Sequence, residues 1–233
     1  MANPVISVVM ATCNQAATLP EALSSLWAQT LPPDRWELIV INDGSTDATE
    51  QILSQCIHPL RTAHQPHQGL VSSCNAGLRL ARGEYFARID SDDSVSPDWL
   101  ERICGALEAA PEAVCAVPDR YECSGEDKLH VQVELDNLYS LIACGTLFRT
   151  ELLRTIGGYH PLYWEEYDLY LRLRAKGRFL RVDAPLYTYR RHASAMTQSR
   201  QARQQGWREL AQAWGEQVLR NAGVNQEMEE SLR

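Results

Sequence analysis

Residues 36–50, WELIVINDGSTDATE, decide the fold. Trp36–Ile41 is a short apolar run, of a length and β-branched content suited to a buried strand. It breaks into the polar cluster NDGSTD (42–47), where Asp43-Gly44 makes a turn. Asp47, three residues before Glu50, has the spacing of a helix start. Strand, polar turn and helix in fifteen residues make one step of a βαβ chain. Outward from it the pattern repeats. Val5–Ala11 is a second apolar run, followed by the turn CNQAA. Thr18 with Glu21 and Pro20 predicts a capped helix reaching Gln29. Downstream come a strand near Leu60, a helix Val71–Ala81, a strand Tyr85–Ile89 and a helix Pro97–Ala110. This alternation predicts an α/β fold with a mostly parallel central sheet covered by helices on both faces. Beyond Ala113 the pattern loosens. Residues 118–140 show no clear period and read as a strand or a loop. Helices are expected at Thr150–Ile156 and Trp164–Ala175, strands at Phe179–Val182 and Leu186–Arg190, and a surface helix with a tail over the last thirty residues.

Composition excludes several classes. The chain has 233 residues, 45% hydrophobic and 22% charged, the balance of a packed globular domain. A net charge of -8 argues against a general nucleic-acid binder. The longest apolar stretches fall far short of the roughly 18 residues of a membrane span. The first cationic side chain is Arg35, so no basic region precedes VISVVMA and a secretory leader is not expected. Seven cysteines without a CxxC pair predict reduced thiols and a cytoplasmic protein. Between Arg172 and Arg208 stand ten Lys/Arg residues and one acid, Asp183, a concentration suited to an anionic ligand.

Three polar clusters fall at strand ends, where open α/β sheets bind ligands: ATCNQ, NDGSTD and DSDD. In DSDD, Asp90, Asp92 and Asp93 crowd carboxylates that raise one another's pKa unless a cation neutralises them. Oxygen ligands suit Mg²⁺ or Mn²⁺ bridging to phosphates. A calcium loop starting at Asp90 is excluded by Val95, where a glycine is needed, and by the strand that precedes it. Neither GxGxxG after the first strand nor GxxxxGK[ST] is present, so dinucleotide and P-loop sites are excluded at motif level. WEEYDL (164–169) offers Glu166 as a general base. In YRRHAS, Arg190, Arg191 and His192 follow directly on a strand, where they can hold a diphosphate or, for His192, complete a metal site.

SVVMATCNQAATLPEALSSLWAQT, ELIVINDGSTDAT, GEYFARIDSDD, IGGYHPLYWEEYDLYLRL and YRRHASAMT occur in the order seen in family 2 glycosyltransferases, and the chain resembles them over roughly residues 4 to 197. The resemblance implies a single GT-A-type domain over 1–197, with a nucleotide-binding half to about residue 95, an acceptor-binding half to 197 and a helical extension over 198–233. It implies an inverting transferase using a nucleotide-sugar donor, UDP-linked in most members, with a divalent cation (Mn²⁺ or Mg²⁺). Thr12, Asn14 and Asp43 would line the nucleoside pocket. Asp90 and Asp92 match the DxD motif, His192 approaches metal or diphosphate, and Arg190 lies in the same loop. The implied acceptor is a glycan, a lipid-linked group or a protein, and a lipid-linked one would bring the chain to the inner membrane surface. Two departures stand out. The base position holds Glu166 where the family pattern E-D-x-D-L has Asp, with Glu165 and Asp168 as alternatives. Cys74-Asn75 stands where members often carry Arg-Asn, so Arg79 or another residue would have to contact the nucleotide. A catalytically silent nucleotide-sugar binder is the competing reading.

Overall fold

The computed structural model describes residues 4–192 and 199–223. Residues 193–198, the first five of which close the YRRHASAMT motif, and the expected tail from 224 lie outside the described residues. The strands are β1 (Ile6–Thr12), β2 (Trp36–Asp43), β3 (Arg61–Gln65), β4 (Tyr85–Asp90), β5 (Ser94–Val95), β6 (Ala113–Ser124), β7 (Asp127–Val131), β8 (Leu147–Arg149) and β9 (Arg178–Arg190). The helices are α1 (Leu19–Trp27), α2 (Thr49–Ser54), α3 (Leu70–Leu80), α4 (Trp99–Glu108), α5 (Thr150–Thr155), α6 (Glu165–Arg174), α7 (Arg200–Trp214) and α8 (Glu216–Asn221).

One sheet runs in the order β3-β2-β1-β4-β8-β6-β9-β5, with β7 paired to β6. β3, β2, β1 and β4 are parallel, β8 runs antiparallel between β4 and β6, and β6 and β9 are again parallel. The chain leaves β1 to one side through β2 and β3 and returns to its other side as β4. That reversal opens a crevice beyond the carboxyl ends of β1 and β4, where Ala11 pairs with Asp90.

The β1 run ISVVMAT is buried on both faces, as a parallel strand between helical layers must be. Ile6, Val8 and Met10 join a core with Leu19, Leu23 and Leu26 of α1 and Trp99, Ile103 and Leu107 of α4. Val9 faces the other core, with Cys74 and Leu78 of α3, Leu169 and Tyr170 of α6, and Trp207 and Leu210 of α7. Each large apolar side chain buried this way contributes about 1.5–3 kcal/mol. A Cβ on Gly77 would lie 2.2 Å from Val9 Cγ1, so its hydrogen lets α3 lie against β1.

Several expectations need correction. Thr18 does not cap α1 with its side chain; its hydroxyl donates to Gln15 Oε1 at 3.0 Å, and the helix ends at Trp27. Residues 118–124 extend the long strand β6, which turns at Gly125 (φ 61°) into β7. Most of β7 is exposed, so it lacks the alternation that marks a half-buried strand. The two strands expected after Phe179 are one, β9, whose register against β6 shifts by a bulge between Val182 and Pro185. The expected surface helix is two, α7 and α8, parted at Gly215, and each keeps an exposed side while burying a narrow face through Trp207 and Leu210 of α7 and Leu219 of α8.

Candidate active site

A cleft of about 540 Å³ opens at the β1/β4 crevice. It is lined by Thr12, Cys13, Asp43 and His67 at one end, Arg88, Asp90 and Asp92 in the middle, and Trp164, Glu165, Glu166, Arg190 and His192 across from them. All five motif segments therefore converge on one cavity, though not every predicted residue reaches it.

At the first end, Asp43 closes β2 and is 3% exposed. Its Oδ1 accepts from Gln65 Nε2 at 2.6 Å and Gln68 N at 2.9 Å, and its Oδ2 from Gly69 N at 2.8 Å. Burial works against the charged form, but these donors and the neighbouring His67 outweigh it and hold the carboxyl below its ordinary value. The Thr12 hydroxyl is buried with no hydrogen-bond partner, a polar group left for a ligand. Asn14 is not among the lining residues. It takes the left-handed conformation (φ 54°) that Asn tolerates, and its Oδ1 accepts from Thr46 N at 2.7 Å and Asp47 N at 3.3 Å. Asn14 therefore ties the turn after β1 to the turn after β2, and Asp47 completes the tie by accepting from Ala16 N and Thr49 N.

The acidic turn divides its labour. Asp93 is 2% exposed and turned inward. Its Oδ2 accepts from the Tyr187 hydroxyl at 2.6 Å and its Oδ1 from Arg190 N at 2.7 Å, so it fixes the turn to β9. Burial and the charge of Asp90 push its pKa well above the carboxylate range. Asp90, the last residue of β4, is gripped by Arg88, whose Nε and Nη2 donate at 3.0 and 3.2 Å, and by the Cys144 thiol at 2.9 Å. Burial opposes its charge, yet Arg88 prevails and draws the carboxyl below the usual range. Asp92 faces the cleft, and its Oδ2 lies 2.8 Å from His192 Nε2.

One carboxylate oxygen from each of Asp90, Asp92 and Asp93 falls within a 4.8 Å cluster. Asp93 is committed to β9, so Asp90 and Asp92 with the imidazole of His192 remain as a set of hard oxygens and one nitrogen that fits a divalent cation such as Mn²⁺.

On α6 the three acids separate cleanly. Glu165 Oε1 receives Arg88 Nη1 at 2.9 Å in an ion pair whose partners are both almost fully buried. Asp168 is engaged by Arg172 at 2.8 Å, His160 at 3.1 Å and Trp214 Nε1 at 2.9 Å. Glu166 makes one hydrogen bond, from Ala143 N to its Oε2 at 3.1 Å, and is half-buried on the cleft wall. Burial first, and then the charge of Glu165, raise its pKa to about 7, with Arg88 pulling the other way.

Sequence reading missed Arg88, because a lone arginine inside a strand run carries no spacing signal. It also missed Cys144 and His67, which reach the cleft only through folding, and Tyr187, which is buried and holds Asp93 from behind. Arg88 lies close enough to bear on the buried thiol of Cys74, but its guanidinium is committed to Asp90 and Glu165. Arg79 is exposed on α3 and lines a separate hollow with Asn75 and Arg154. Four of the ten cations in the stretch from Arg172 to Arg208 are engaged in ion pairs outside the cleft: Arg172 with Asp168, Arg178 with Glu112, Arg181 with Asp119, Arg191 with Glu122. Arg190 does line the cleft, with its guanidinium 2.6 Å from Glu21.

A mixed, largely parallel sheet whose switch-point cleft carries an acidic turn has the GT-A glycosyltransferase architecture. The Staphylococcus aureus enzyme TarS, solved in complex with UDP-GlcNAc, superposes with a TM-score of 0.73 at 21% identity over 88% of this chain and 66% of that one. The mannosyltransferase PcManGT of Pyrobaculum calidifontis, solved with GDP-Man and Mn²⁺, gives 0.73 at 21% identity over 91% of this chain and 64% of that one. The chain belongs to glycosyl transferase family 2, whose model matches residues 7–169. It is 38% identical over 109 residues to an uncharacterized glycosyltransferase of Haemophilus influenzae, covering 45% of this chain and 33% of the relative. Glycosyltransferase AglE of Haloferax volcanii is 30% identical over 107 residues, 42% of this chain and 34% of AglE. The chain thus spans about a third of the length of these two curated relatives.

Proposed function

We propose that this chain transfers a sugar from a nucleoside-diphosphate sugar, UDP-linked, to a hydroxyl of a glycan, lipid-linked or protein acceptor, with inversion at the anomeric carbon. The observation that carries the reading is Glu166. It is the α6 acid not held by an ion pair, it stands on the cleft wall, and its pKa of about 7 suits a base working near neutrality. Glu166 takes the proton from the acceptor hydroxyl, which attacks the face of the anomeric carbon opposite the departing diphosphate. Thr12 and Asp43 bind the nucleoside, through the unpartnered hydroxyl and a carboxylate fixed by three protein donors. Asp90, Asp92 and His192 hold the divalent cation, and Arg190 stands beside them. The cation supplies charge neutralisation for the leaving diphosphate. Arg88 keeps Asp90 ionised and oriented by direct hydrogen bonds. The presence of UDP-GlcNAc in TarS and of GDP-Man with Mn²⁺ in PcManGT supports a nucleotide sugar and a cation on this fold.

The test is thermal unfolding with UDP, dTDP and GDP, each with and without Mn²⁺, on wild type and Asp92→Ala. A nucleotide at about 100 times its Kd adds roughly 2.7 kcal/mol. Stabilisation by UDP that needs Mn²⁺ and disappears in Asp92→Ala is expected. Absence of any nucleotide effect overturns the reading, and a product retaining the donor's anomeric configuration overturns inversion.

A further inference from the structure

The nucleoside end of the cleft holds a second group of ligating atoms, separate from the acidic turn. Cys13 Sγ, Asp43 Oδ2 and His67 Nδ1 come from three different segments and lie within 4.8 Å of one another. His67 Nδ1 is 2.8 Å from Asp43 Oδ2, 3.6 Å from Cys13 Sγ and 3.2 Å from the Asp43 carbonyl oxygen. An imidazole nitrogen carries at most one proton and so can donate to only one of these three atoms. Nδ1 already lies in hydrogen-bond reach of both Cys13 Sγ and Asp43 Oδ2, and an ion that takes the place of the thiol proton would be held by all three atoms at once. We infer that Cys13, Asp43 and His67 form a binding site for a soft divalent ion such as Zn²⁺, and that an ion there excludes the donor's nucleoside.

Zinc bonds of about 2.0–2.3 Å to nitrogen, oxygen and sulfur in a tetrahedron require neighbouring ligands roughly 3.3–3.6 Å apart. The sulfur–nitrogen separation already has that value. The nitrogen–oxygen pair must open by about half an ångström, and the His67 side chain, 68% exposed, is free to make that shift. The second shell is built: Gln65 Nε2, Gln68 N and Gly69 N fix the orientation of the Asp43 carboxylate. Three protein ligands on a cleft wall leave the fourth position for water. The soft thiolate distinguishes this site from the oxygen-rich turn at Asp92 and selects zinc over magnesium. The exclusion of nucleoside rests on the proposed role of Asp43 in donor binding, because one carboxylate cannot serve both ligands.

The experiment is a titration of the purified protein with Co²⁺ alone, followed by absorption, on wild type, Cys13→Ser, His67→Ala and Asp92→Asn. A thiolate-to-cobalt charge-transfer band is expected in wild type and in Asp92→Asn, displaced by Zn²⁺, absent in Cys13→Ser, and requiring at least tenfold more Co²⁺ in His67→Ala. No band in wild type, or an equal band in Cys13→Ser, overturns the site. Uridine, which has no phosphate to chelate the metal, is then added and should weaken the band. A Cys13-dependent band that uridine leaves unchanged, in protein that UDP does stabilise, overturns the exclusion. Protein that UDP does not stabilise overturns the nucleotide reading and the exclusion with it, while the cobalt band alone judges the metal site.

Discussion

Replacing Glu166 by Gln should abolish transfer and yet make the protein more stable above neutral pH. The carboxyl is ordinarily at 4.5 and stands at about 7 in the folded chain, because burial and Glu165 disfavour its charge. The folded state therefore holds this proton more tightly than the unfolded state. Its contribution is fully present below pH 4.5 and is lost as pH rises to about 7. At 1.36 kcal/mol for each tenfold in proton affinity, the ceiling is about 3 kcal/mol. Water in the cleft screens the part of the carboxylate that faces it, so a gain of about 1–3 kcal/mol is the working figure. Gln keeps an oxygen for the Ala143 amide and never ionises, so the variant escapes the penalty. For a domain of this size each kcal/mol moves Tm by roughly 2–4 °C. Differential scanning calorimetry should show Glu166→Gln melting about 2–12 °C above wild type at pH 8, with the gap closing at pH 5. Release of nucleoside diphosphate from the donor, measured with acceptor present, should fall to background in the variant. In wild type the same release should rise with pH through about 7 as Glu166 loses its proton. A variant that keeps its turnover, or that melts no higher than wild type at pH 8, refutes the assignment of Glu166 and its burial as the cause.

Three further outcomes follow from the contacts. Arg88→Met leaves the buried Glu165 and the half-buried Asp90 without their cation and should cost about 3–5 kcal/mol, read as a lower denaturation midpoint in urea; an unchanged midpoint would show that water replaces the guanidinium. Asp43→Ala leaves the Gln68 and Gly69 N–H groups without their acceptor, so stability should fall by about 1–3 kcal/mol and UDP should no longer raise Tm. Gly206→Ala gains up to about 1 kcal/mol of helix propensity, but the new Cβ would lie 2.6 Å from the Tyr163 ring. Overpacking of that kind costs about 1–3 kcal/mol, so the variant should melt lower despite the better helix former, with thermal unfolding as the check.

Much of the fold was legible because its first half is written in local signals. VISVVMA and WELIVI are apolar on both faces, which fits strands covered by two helical layers, and each ends in a polar turn. The same pattern points to the ends of β1, β2 and β4, and so to Thr12, Asp43, Asp90 and Asp92. The second half was less legible for a physical reason. Exposed β7 has no alternation to read, and the bulge in β9 splits one strand's pattern into two. The helix of Arg200–Trp214 looks polar in composition, although Trp207 and Leu210 bury fully against α6.

Residue type and order along the chain determined the family, the α/β class and the three strand-end clusters. Tertiary structure decided which atoms of those clusters are engaged and which face the cleft. Three acids stand together in DSDD, but only packing against Tyr187 and β9 turns Asp93 inward and leaves Asp92 beside His192. Three acids stand in WEEYD, but Arg88 takes Glu165 while Arg172, His160 and Trp214 take Asp168. Hydrogen bonds and ion pairs between residues far apart in sequence depend on where strands and helices bring side chains together. A one-dimensional pattern carries the chemistry available to a site, and the folded chain selects which of it is used.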